Sequence, residues 1–455
     1  MLGIVVALAV MTDVALRLDG PGLVTSGALV TAVVLLALGG RLARVLPRLA
    51  VAMVVVMAVL LSVRASVWTT WILVAAATTL VVMTAAGGFE PGRRRPWLDV
   101  TAGGCDALRD VPAWFERGWR DASVHRTGKL TVWARSAAGG VVVAAVLVSL
   151  LASGDVAFGW LVSGFDAGAV LGHTVLVGLL VVPAAALAVL AQRHTDAARF
   201  GARTYRTEAR VALWVVAVVL VLWCGLQVAV IIGGAERVLA SQGLTAAEYA
   251  RQGFFQLVAV AAVSLAVLNI SHRLGSDGMV ADESQRAPAF IIGVALGVLI
   301  IVSYSRLGFY IGSFGLTMLR LAVATFLAWL ALMTVLSVVR SSRSETPRPW
   351  LAIAATLTAA GFAIAFAAIN PEARVAAVNL GRATDEQPVD VGYLVSFLGP
   401  DAKPTVAAAV AADGPMTDRL AAWLCSDVDG TFGYGPLGWN RSVAAAAEAC
   451  PLPGG

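Results

Sequence analysis

Charged side chains are scarce in this chain of 455 residues, where Asp, Glu, Lys and Arg together make up 13%. A soluble domain carries roughly 25% charged residues, so the composition excludes an ordinary soluble fold. Hydrophobic residues reach 59%, and the mean hydropathy is +0.83. These values predict an all-α, polytopic transmembrane protein, because only helices and closed barrels satisfy the backbone polar groups of long segments in lipid.

Lysine is almost absent as well, since Lys129 and Lys403 are the only two among 33 basic residues. This preference for arginine, together with abundant Ala, Val and Gly, is what GC-rich coding produces and indicates a bacterial source. Most arginines lie in short segments between apolar runs, where Lys and Arg set the orientation of a protein in the lipid bilayer. We therefore interpret the net charge of +5 as a consequence of membrane orientation. Nucleic acid is not an expected partner.

Motifs for several well-known chemistries are missing. The chain has no P-loop, no strand-flanked GxGxxG, no HExxH and no GxSxG. Its four histidines (His125, His173, His194 and His272) lack the spacing of metal ligands. The sequence therefore argues against ATP-driven pumps and metalloproteases, and it predicts no catalytic residue, metal site or cofactor.

Eleven apolar runs are candidates for membrane helices, because a span needs about 17–25 residues. They cover residues 2–16, 23–40, 47–64, 67–86, 136–153, 168–190, 211–234, 254–270, 288–304, 317–339 and 350–369. We counted Lys and Arg in the segments between these runs and left out the tail. Of these residues, 22 lie on one side of the membrane and six on the other. The positive-inside rule then predicts a cytoplasmic N-terminus in the inner membrane and an outer location for residues 370–455.

Four regions follow from this topology. Residues 1–86 form N-terminal transmembrane helices, residues 87–135 a cytoplasmic loop rich in Arg and Trp, residues 136–369 the main bundle, and residues 370–455 a small extracytoplasmic helical domain. In the cytoplasmic loop, Val111, Phe115 and Trp119 recur every four residues, which indicates a helix with one apolar face. Such a helix suits an anionic membrane surface, and recruitment of a cytosolic partner is the alternative.

The tail after residue 369 combines short apolar segments with Gly, Pro and Asp. Asn370 followed by Pro371 and Glu372 is a typical start of a helix. Cys425 and Cys450 lie on the oxidising side in the predicted topology, whereas Cys105 is cytoplasmic and Cys224 lies inside the membrane. We therefore expect a disulfide between Cys425 and Cys450.

The polar residues inside the predicted helices include four candidates for a function, namely Asp13, His173, Gln227 and Asn269. Polar groups in a membrane mark ion paths or contacts between helices. Hydrogen bonding between helices is the simpler account of Gln227 and Asn269, and a pair with Arg17 four residues on is the simpler account of Asp13. His173 could relay protons or be structural.

The segment from Ser303 to Val323 joins two apolar runs and is expected to be an outer connection. Its tyrosines suit the headgroup level, and its arginines can extend towards water. Arg306, Tyr310 and Arg320 are therefore expected to be interfacial anchors, with an organised site as the alternative.

Several stretches together resemble a known family. They are "LLASGDVAF" (150–158), "LTAAEYARQGFFQL" (244–257), "SRLGFYIGSFGLTMLRL" (305–321), and, in the tail, "NPEARVAAVNLGRA", "VDVGYLVSFLGPDAKPTV" and "GWNRS". This pattern is similar to that of bacterial multi-pass membrane proteins of the domain-of-unknown-function 4153/4173 type. The resemblance implies a membrane architecture and carries over no catalytic residue.

The resemblance also gives weight to an outer polar cluster of Glu248, Tyr249, Arg306, Tyr310 and Arg320. We expect at least one of the two arginines to pair with Glu248.

Three functions fit the sequence. The first is a non-enzymatic membrane scaffold or sensor, with an envelope protein or ligand as partner of the tail. The second is a transporter or channel for a small solute or ion, which would use the four intramembrane polar residues. The third is an enzyme on a lipid-linked envelope substrate, with Glu248 or Asp155 as an outward-facing acid, although no nucleophile is paired with a base in the sequence.

The topology yields the first testable prediction. Reporter fusions or cysteine labelling should place residues 93–95, 199–206 and 343–348 in the cytoplasm and residue 455 outside, because the basic residues cluster on one side. A cytoplasmic reporter signal at residue 455 would contradict this orientation.

Overall fold

Every regular element that the computed structural model describes is a helix. The described residues are 2–17, 20–89, 107, 110–111, 114, 177, 180, 183–189, 206–233, 254–275, 283–342, 350–383, 389–411, 418–426 and 435–450. The chain is therefore all-helical over this part, as the composition predicts.

Nine of the helices in the described part of the chain precede the tail. They are α1 (Leu2–Arg17), α2 (Leu23–Leu38), α3 (Val45–Val63), α4 (Val67–Ala85), α5 (Arg206–Gly233), α6 (Phe254–Gly275), α7 (Arg286–Phe314), α8 (Met318–Ser342) and α9 (Trp350–Ala368). Each overlaps one of the eleven predicted runs. The predicted run 136–153 lies outside the described residues, and only part of 168–190 is described, with residues 183–189 helical.

Among the described helices, five are long and apolar enough to cross a membrane. They are Val45–Val63, Val67–Ala85, Glu283–Phe314, Met318–Ser342 and Trp350–Ala368. These five support an integral membrane protein, and the total of about eleven stays a prediction.

The described residues of the tail form five further short helices. They are α10 (Pro371–Leu380), α11 (Val391–Phe397), α12 (Lys403–Ala411), α13 (Asp418–Leu424) and α14 (Arg441–Glu448), with 3-10 turns at Pro400–Ala402 and Gly435–Gly438. A disulfide joins Cys425, just after α13, to Cys450, just after α14.

The contacts divide the chain into two compact units. The first comprises Met1–Val63, Ala77–Ala197 and Thr431–Arg441, and the second comprises Arg64–Ala76, Ala198–Gly430 and Ser442–Gly455.

In the first unit, α2 packs against α1 and α3. The Ser26 hydroxyl donates to the Ala58 carbonyl oxygen at 2.6 Å and lies 2.7 Å from the Ser62 hydroxyl. Asn440 is fully buried, and its side-chain amide donates to the carbonyl oxygens of Pro21 at 2.8 Å and Leu61 at 3.0 Å. Side-chain polar groups thus meet the open backbone groups near the ends of these helices.

The second unit is built on the hairpin of α7 and α8, which packs with α5, α6 and α9. Its core includes Leu268, Ile292, Leu296 and Leu327, each with no exposed surface. A Cβ at Gly293 would lie 2.2 Å from Val338 Cγ2, so a small residue is required where α7 approaches α8. Small residues commonly allow such close approach of membrane helices.

One boundary prediction is wrong. The apolar run ends near residue 304, yet α7 continues to Phe314, so Arg306 and Tyr310 lie on a helix and not in a connection. The physical reason is that hydropathy marks the end of the apolar surface, whereas the helix ends where its backbone hydrogen bonds end. The true connection between α7 and α8 has three residues, Gly315 to Thr317.

The predicted loop helix falls almost entirely on residues that the structure does not describe. Phe115 and Trp119 are among those residues. Val111 and Trp114 are described, and both are buried.

Candidate functional site at the junction of tail and membrane helices

The turn between α7 and α8 requires glycine at its first position. Gly315 has a φ of 77°, which lies in the left-handed region that favours glycine. A Cβ at this position would lie 2.6 Å from Asn379 Oδ1. The close approach of α10 therefore imposes the same requirement as the backbone conformation.

Side chains of the tail bind the backbone of this turn. Asn379 Oδ1 accepts a hydrogen bond from the Leu316 N–H at 2.8 Å, and Asn379 Nδ2 donates to the Leu316 carbonyl oxygen, also at 2.8 Å. The Tyr393 hydroxyl oxygen accepts from the Met318 N–H at 2.9 Å. Leu316 and Met318 are buried, so these side chains satisfy backbone groups with little access to water.

The last turn of α7 is capped by an arginine of the tail. Arg382 Nη1 donates to the Ile311 carbonyl oxygen at 2.6 Å, and its Nη2 donates to the Gly312 carbonyl oxygen. A helix leaves its last carbonyl groups without a partner, and a cation there also complements the helix dipole. We call the bonds of Asn379, Arg382 and Tyr393 to residues 311–318 the tail contact.

Arg320, which the sequence placed in an outer cluster, caps the same helix end. Its Nη1 donates to the carbonyl oxygens of Phe314, at 3.1 Å, and Gly315. Its guanidinium carbon lies 4.0 Å from the centre of the Tyr310 ring, which is a cation–π contact. Arg320 and Tyr310 are therefore together, and they act on the end of α7.

A second contact forms where α10 begins. Asn370 has a φ of 51° and is the only described non-glycine residue with a positive φ. Its Oδ1 accepts from the Ala373 N–H at 3.2 Å, which confirms the predicted N-cap, and its Nδ2 donates to the Asp401 carbonyl oxygen at 3.2 Å. Asparagine suits this position because it tolerates the left-handed conformation and caps with the same side chain.

The connection between α3 and α4 meets this second contact. Asp401 Oδ1 accepts from the Ala65 N–H at 2.8 Å, and its Oδ2 accepts from the Ser66 N–H at 3.4 Å. Arg64 donates to the carbonyl oxygens of Ala367 and Ala368, both at 3.0 Å. Arg64 thereby caps α9 as Arg320 and Arg382 cap α7.

Two acids are buried at this second contact. Glu372 is 3% exposed and Asp401 is 2% exposed. Glu372 Oε2 accepts from the Gly399 N–H at 2.8 Å. Ser66 lies beside Glu372, and its buried hydroxyl has no hydrogen bond of normal geometry to a described residue. We call Glu372 and Asp401 the acid pair.

The surroundings of the acid pair favour its neutral forms. Burial first, and then the charge of Asp401, raise the pKa of Glu372 to about 7, although the Ser66 hydroxyl and the Gly399 N–H act in the opposite direction. Burial likewise raises the pKa of Asp401, whereas hydrogen bonds from Ser442 and Ala65 lower it. A carboxyl group with a pKa near neutrality can change charge within the physiological range.

The enzyme hypothesis can be checked at Lys403 and Ser426. Lys403 Nζ lies 2.9 Å from Ser426 Oγ, which is the reach of a nucleophile and its base. The Ser426 hydroxyl, however, donates to the Trp423 carbonyl oxygen at 2.8 Å, and Lys403 also donates to the Ser426 carbonyl oxygen. The pair therefore caps the end of α13. Within the described residues, no group of three His, Cys, Asp or Glu side chains could hold a metal ion.

The polar residues predicted inside helices are engaged locally where they are described. Arg17 Nε donates to Asp13 Oδ1 at 2.9 Å. Asn269 Nδ2, on α6, donates to Ser337 Oγ, on α8, at 3.1 Å. These are the bonds that the simpler accounts expect.

The structure does not test the rest of the predicted outer cluster. Arg306 lies half-buried on α7. Glu248, Tyr249 and His173 lie outside the described residues, as does the side chain of Gln227. The pairing of Glu248 with an arginine stays a prediction.

Sequence reasoning missed most of the tail residues that form the junction. Asn379, Arg382 and Tyr393 belong to the tail stretches that resemble the family, and this resemblance was the available signal. Glu372 was noted only as part of a helix start, and Asp401 carried no signal of burial.

Comparison with known proteins gives one match. A family model described as "Domain of unknown function (DUF4153)" matches residues 51–409. This stretch contains both partners of each contact, from Arg64 to Asp401. Neither the curated proteins nor the solved structures include a match.

The tail contact yields a prediction for Asn379. Asn379→Ala should lower the free energy of unfolding by about 2–6 kcal/mol, because the buried N–H and C=O of Leu316 each lose their partner at about 1–3 kcal/mol per group. Thermal unfolding in detergent, followed by tryptophan fluorescence, measures the loss. Asn379→Asp keeps the acceptor and removes the donor, so it should cost less than Ala. Equal losses, or a neutral Ala variant, would show that these bonds contribute little.

The acid pair yields a prediction of pH dependence. The pKa of Glu372 rises from an ordinary 4.5 to about 7 on folding, so the folded state binds more protons between these values. Its contribution to stability is present below pH 4.5 and is lost as the pH rises to about 7 and beyond. The shift corresponds to about 3 kcal/mol, and unfolding measured from pH 4 to pH 9 should show it.

Glu372→Gln should remove this dependence, because the amide oxygen still accepts from the Gly399 N–H but carries no charge. The variant should therefore be more stable than the wild type above pH 7. Glu448→Gln, at an exposed position of α14, measures the effect of losing one carboxyl group elsewhere. If wild type and Glu372→Gln respond alike to pH, the acid pair does not control stability.

Proposed function

This chain belongs to the DUF4153 family, and from the contacts above we propose that it acts as a non-enzymatic membrane scaffold or sensor. The observation that carries the proposal is the tail contact. Asn379 and Arg382 satisfy the backbone of the turn and of the last turn of α7, so a change in the tail alters the end of a membrane helix. A sensor needs such a coupled element.

The proposal includes a location and an orientation. About eleven helices cross the inner membrane of a bacterium, the N-terminus is cytoplasmic, and residues 370–455 form a small helical domain outside. The excess of 22 over six basic residues between the two sides supports the orientation. The disulfide of Cys425 and Cys450 supports an oxidising surrounding for the tail.

The exposed ring of Phe397 is where a partner would act on the tail contact. Phe397 is 69% exposed, and its ring centre lies 5.2 Å from that of Tyr393 in a stacked arrangement. Tyr393 in turn accepts from the Met318 N–H. An envelope protein or ligand that binds Phe397 would therefore disturb a residue that holds the start of α8.

The alternatives receive less support from the described residues. A transporter would use Asp13 and Asn269 along a path, whereas their side chains bond to Arg17 and Ser337. An enzyme would use a nucleophile, whereas the Ser426 hydroxyl donates to a backbone carbonyl.

The test asks whether a protein bound to the tail changes the far end of α8. An antibody fragment against the surface around Phe397 would be added to the purified full-length chain. Amide hydrogen exchange would be followed at residues 335–342, at the other end of α8 from the tail contact. We expect the fragment to change exchange at these residues.

The matched control combines Asn379→Ala with Arg382→Gln. In this variant the fragment should still protect residues around Phe397 while leaving residues 335–342 unchanged. A response confined to the tail in the wild type would contradict a sensor and favour a scaffold. A solute flux in proteoliposomes that Asn269→Ala abolishes would overturn both roles in favour of transport.

A further inference from the structure

A short segment of the tail packs against the ends of α2 and α3 in the first unit. The 3-10 turn Gly435–Gly438 contacts α2. Asn440 donates to the carbonyl oxygens of Pro21 at 2.8 Å and Leu61 at 3.0 Å. We call residues 435–440 the Trp439 segment. The family match ends at residue 409, so this segment lies beyond it, and it is separate from the tail contact and from the acid pair.

Two glycines allow the Trp439 segment to approach the start of α2. A Cβ at Gly22 would lie 2.9 Å from the carbonyl carbon of Gly438 and 3.0 Å from its Cα. Such a distance is too short for a side chain, and the atoms that it would meet belong to the backbone. Gly438 is itself buried. Backbone contact at Gly22 and the bonds of Asn440 therefore fix the position of the segment.

The side chains of the Trp439 segment alternate between the protein and its exterior. Gly438 and Asn440 are buried, whereas Leu437 is 54% exposed and Trp439 is 39% exposed. Leu23, which directly follows Gly22, is 45% exposed. Since Gly22 meets Gly438, three large apolar side chains are exposed around one point of contact. A group of exposed apolar side chains marks a surface that another apolar phase covers.

The end of α3 sets the position of this group relative to a bilayer. Val45–Val63 is long and apolar enough to cross a membrane, and Asn440 binds Leu61 in the last turn of this helix. Trp439 directly precedes Asn440, so it lies at the level where the membrane span ends. Tryptophan is enriched at this level, because its ring is apolar while its N–H can still meet water.

The charge of the Trp439 segment also suits a membrane surface. Residues 435–441 include no acidic residue and one basic residue, Arg441, which is exposed. An arginine beside apolar side chains can extend towards lipid phosphate groups while those side chains lie among the upper acyl chains. Position, apolar surface and charge thus match the same partner, a lipid bilayer.

We propose that Leu23, Leu437 and Trp439 form a docking surface for the lipid bilayer, at the boundary between headgroups and acyl chains. Asn440 attaches this part of the tail to α2 and α3, and the docking surface attaches it to the lipid around these helices. The tail then has a lipid attachment that does not depend on the tail contact.

The test places the photoreactive residue benzoylphenylalanine at position 437 of the full-length chain in nanodiscs of phosphatidylglycerol and phosphatidylcholine. Irradiation and intact-mass spectrometry then identify the molecule that covers this position. We expect an adduct that carries the mass of a lipid. The same residue at position 59, where Val59 of α3 is 58% exposed, is the positive control, because α3 is long and apolar enough to cross the membrane.

Two variants test the role of the indole ring. Trp439→Gln should lower the yield of the lipid adduct at position 437 several-fold, because the segment loses much of its apolar surface while the bonds of Asn440 remain. Trp214→Gln removes a tryptophan of similar exposure, 42%, on α5 and should leave the yield unchanged.

Three results would overturn the proposal. An adduct with a second copy of the chain in place of lipid would identify the surface as a dimer interface. A reaction at position 59 with none at position 437 would show that the surface faces water. An unchanged yield in Trp439→Gln would show that the ring does not hold the segment in the lipid.

Discussion

The open backbone groups at the ends of apolar helices are the constraint on which this structure depends. A helix leaves its last carbonyl groups without partners, and the cost of leaving them buried is high where water is scarce. At α7 the need is met by Arg320 from the following helix and by Arg382 from the tail. Arg64 meets the same need at α9. The arginines of this chain therefore have a second role besides orientation, because three of them cap the ends of helices.

The two contacts of the tail differ in their chemistry. The contact with the turn between α7 and α8 uses an amide, a guanidinium and a phenol oxygen, and none of these groups changes its charge near neutral pH. Burial raises the pKa of the Tyr393 phenol above its ordinary value. The contact with residues 65–66 uses buried carboxyl groups, one with a pKa raised to about 7. One attachment of the tail therefore keeps its charges near neutral pH, while the stability of the other depends on protonation of Glu372.

Hydropathy and local patterns predicted the parts of the fold that depend on neighbouring residues. The nine described membrane-region helices and the cap at Asn370 belong to this class. The end of α7 was not predicted, because the backbone hydrogen bonds of the helix continue ten residues past the end of the apolar run. Asn379 and Tyr393 act on residues 63 and 75 positions earlier in the chain. Their partners are backbone groups, which every residue carries, so no pattern of side chains in the sequence predicts these contacts. The burial of Glu372 and Asp401 likewise depends on packing that composition does not show.

The tail contact also sets an order for assembly. Asn379 follows Leu316 by 63 residues, and a ribosome adds about 5–20 residues per second. Leu316 is therefore synthesised roughly 3–13 s before Asn379. During that interval Arg320 can cap the end of α7, whereas the carbonyl groups that Arg382 binds depend on water or lipid headgroups. The turn between α7 and α8 thus gains its tail partners only after both helices of the hairpin have been synthesised.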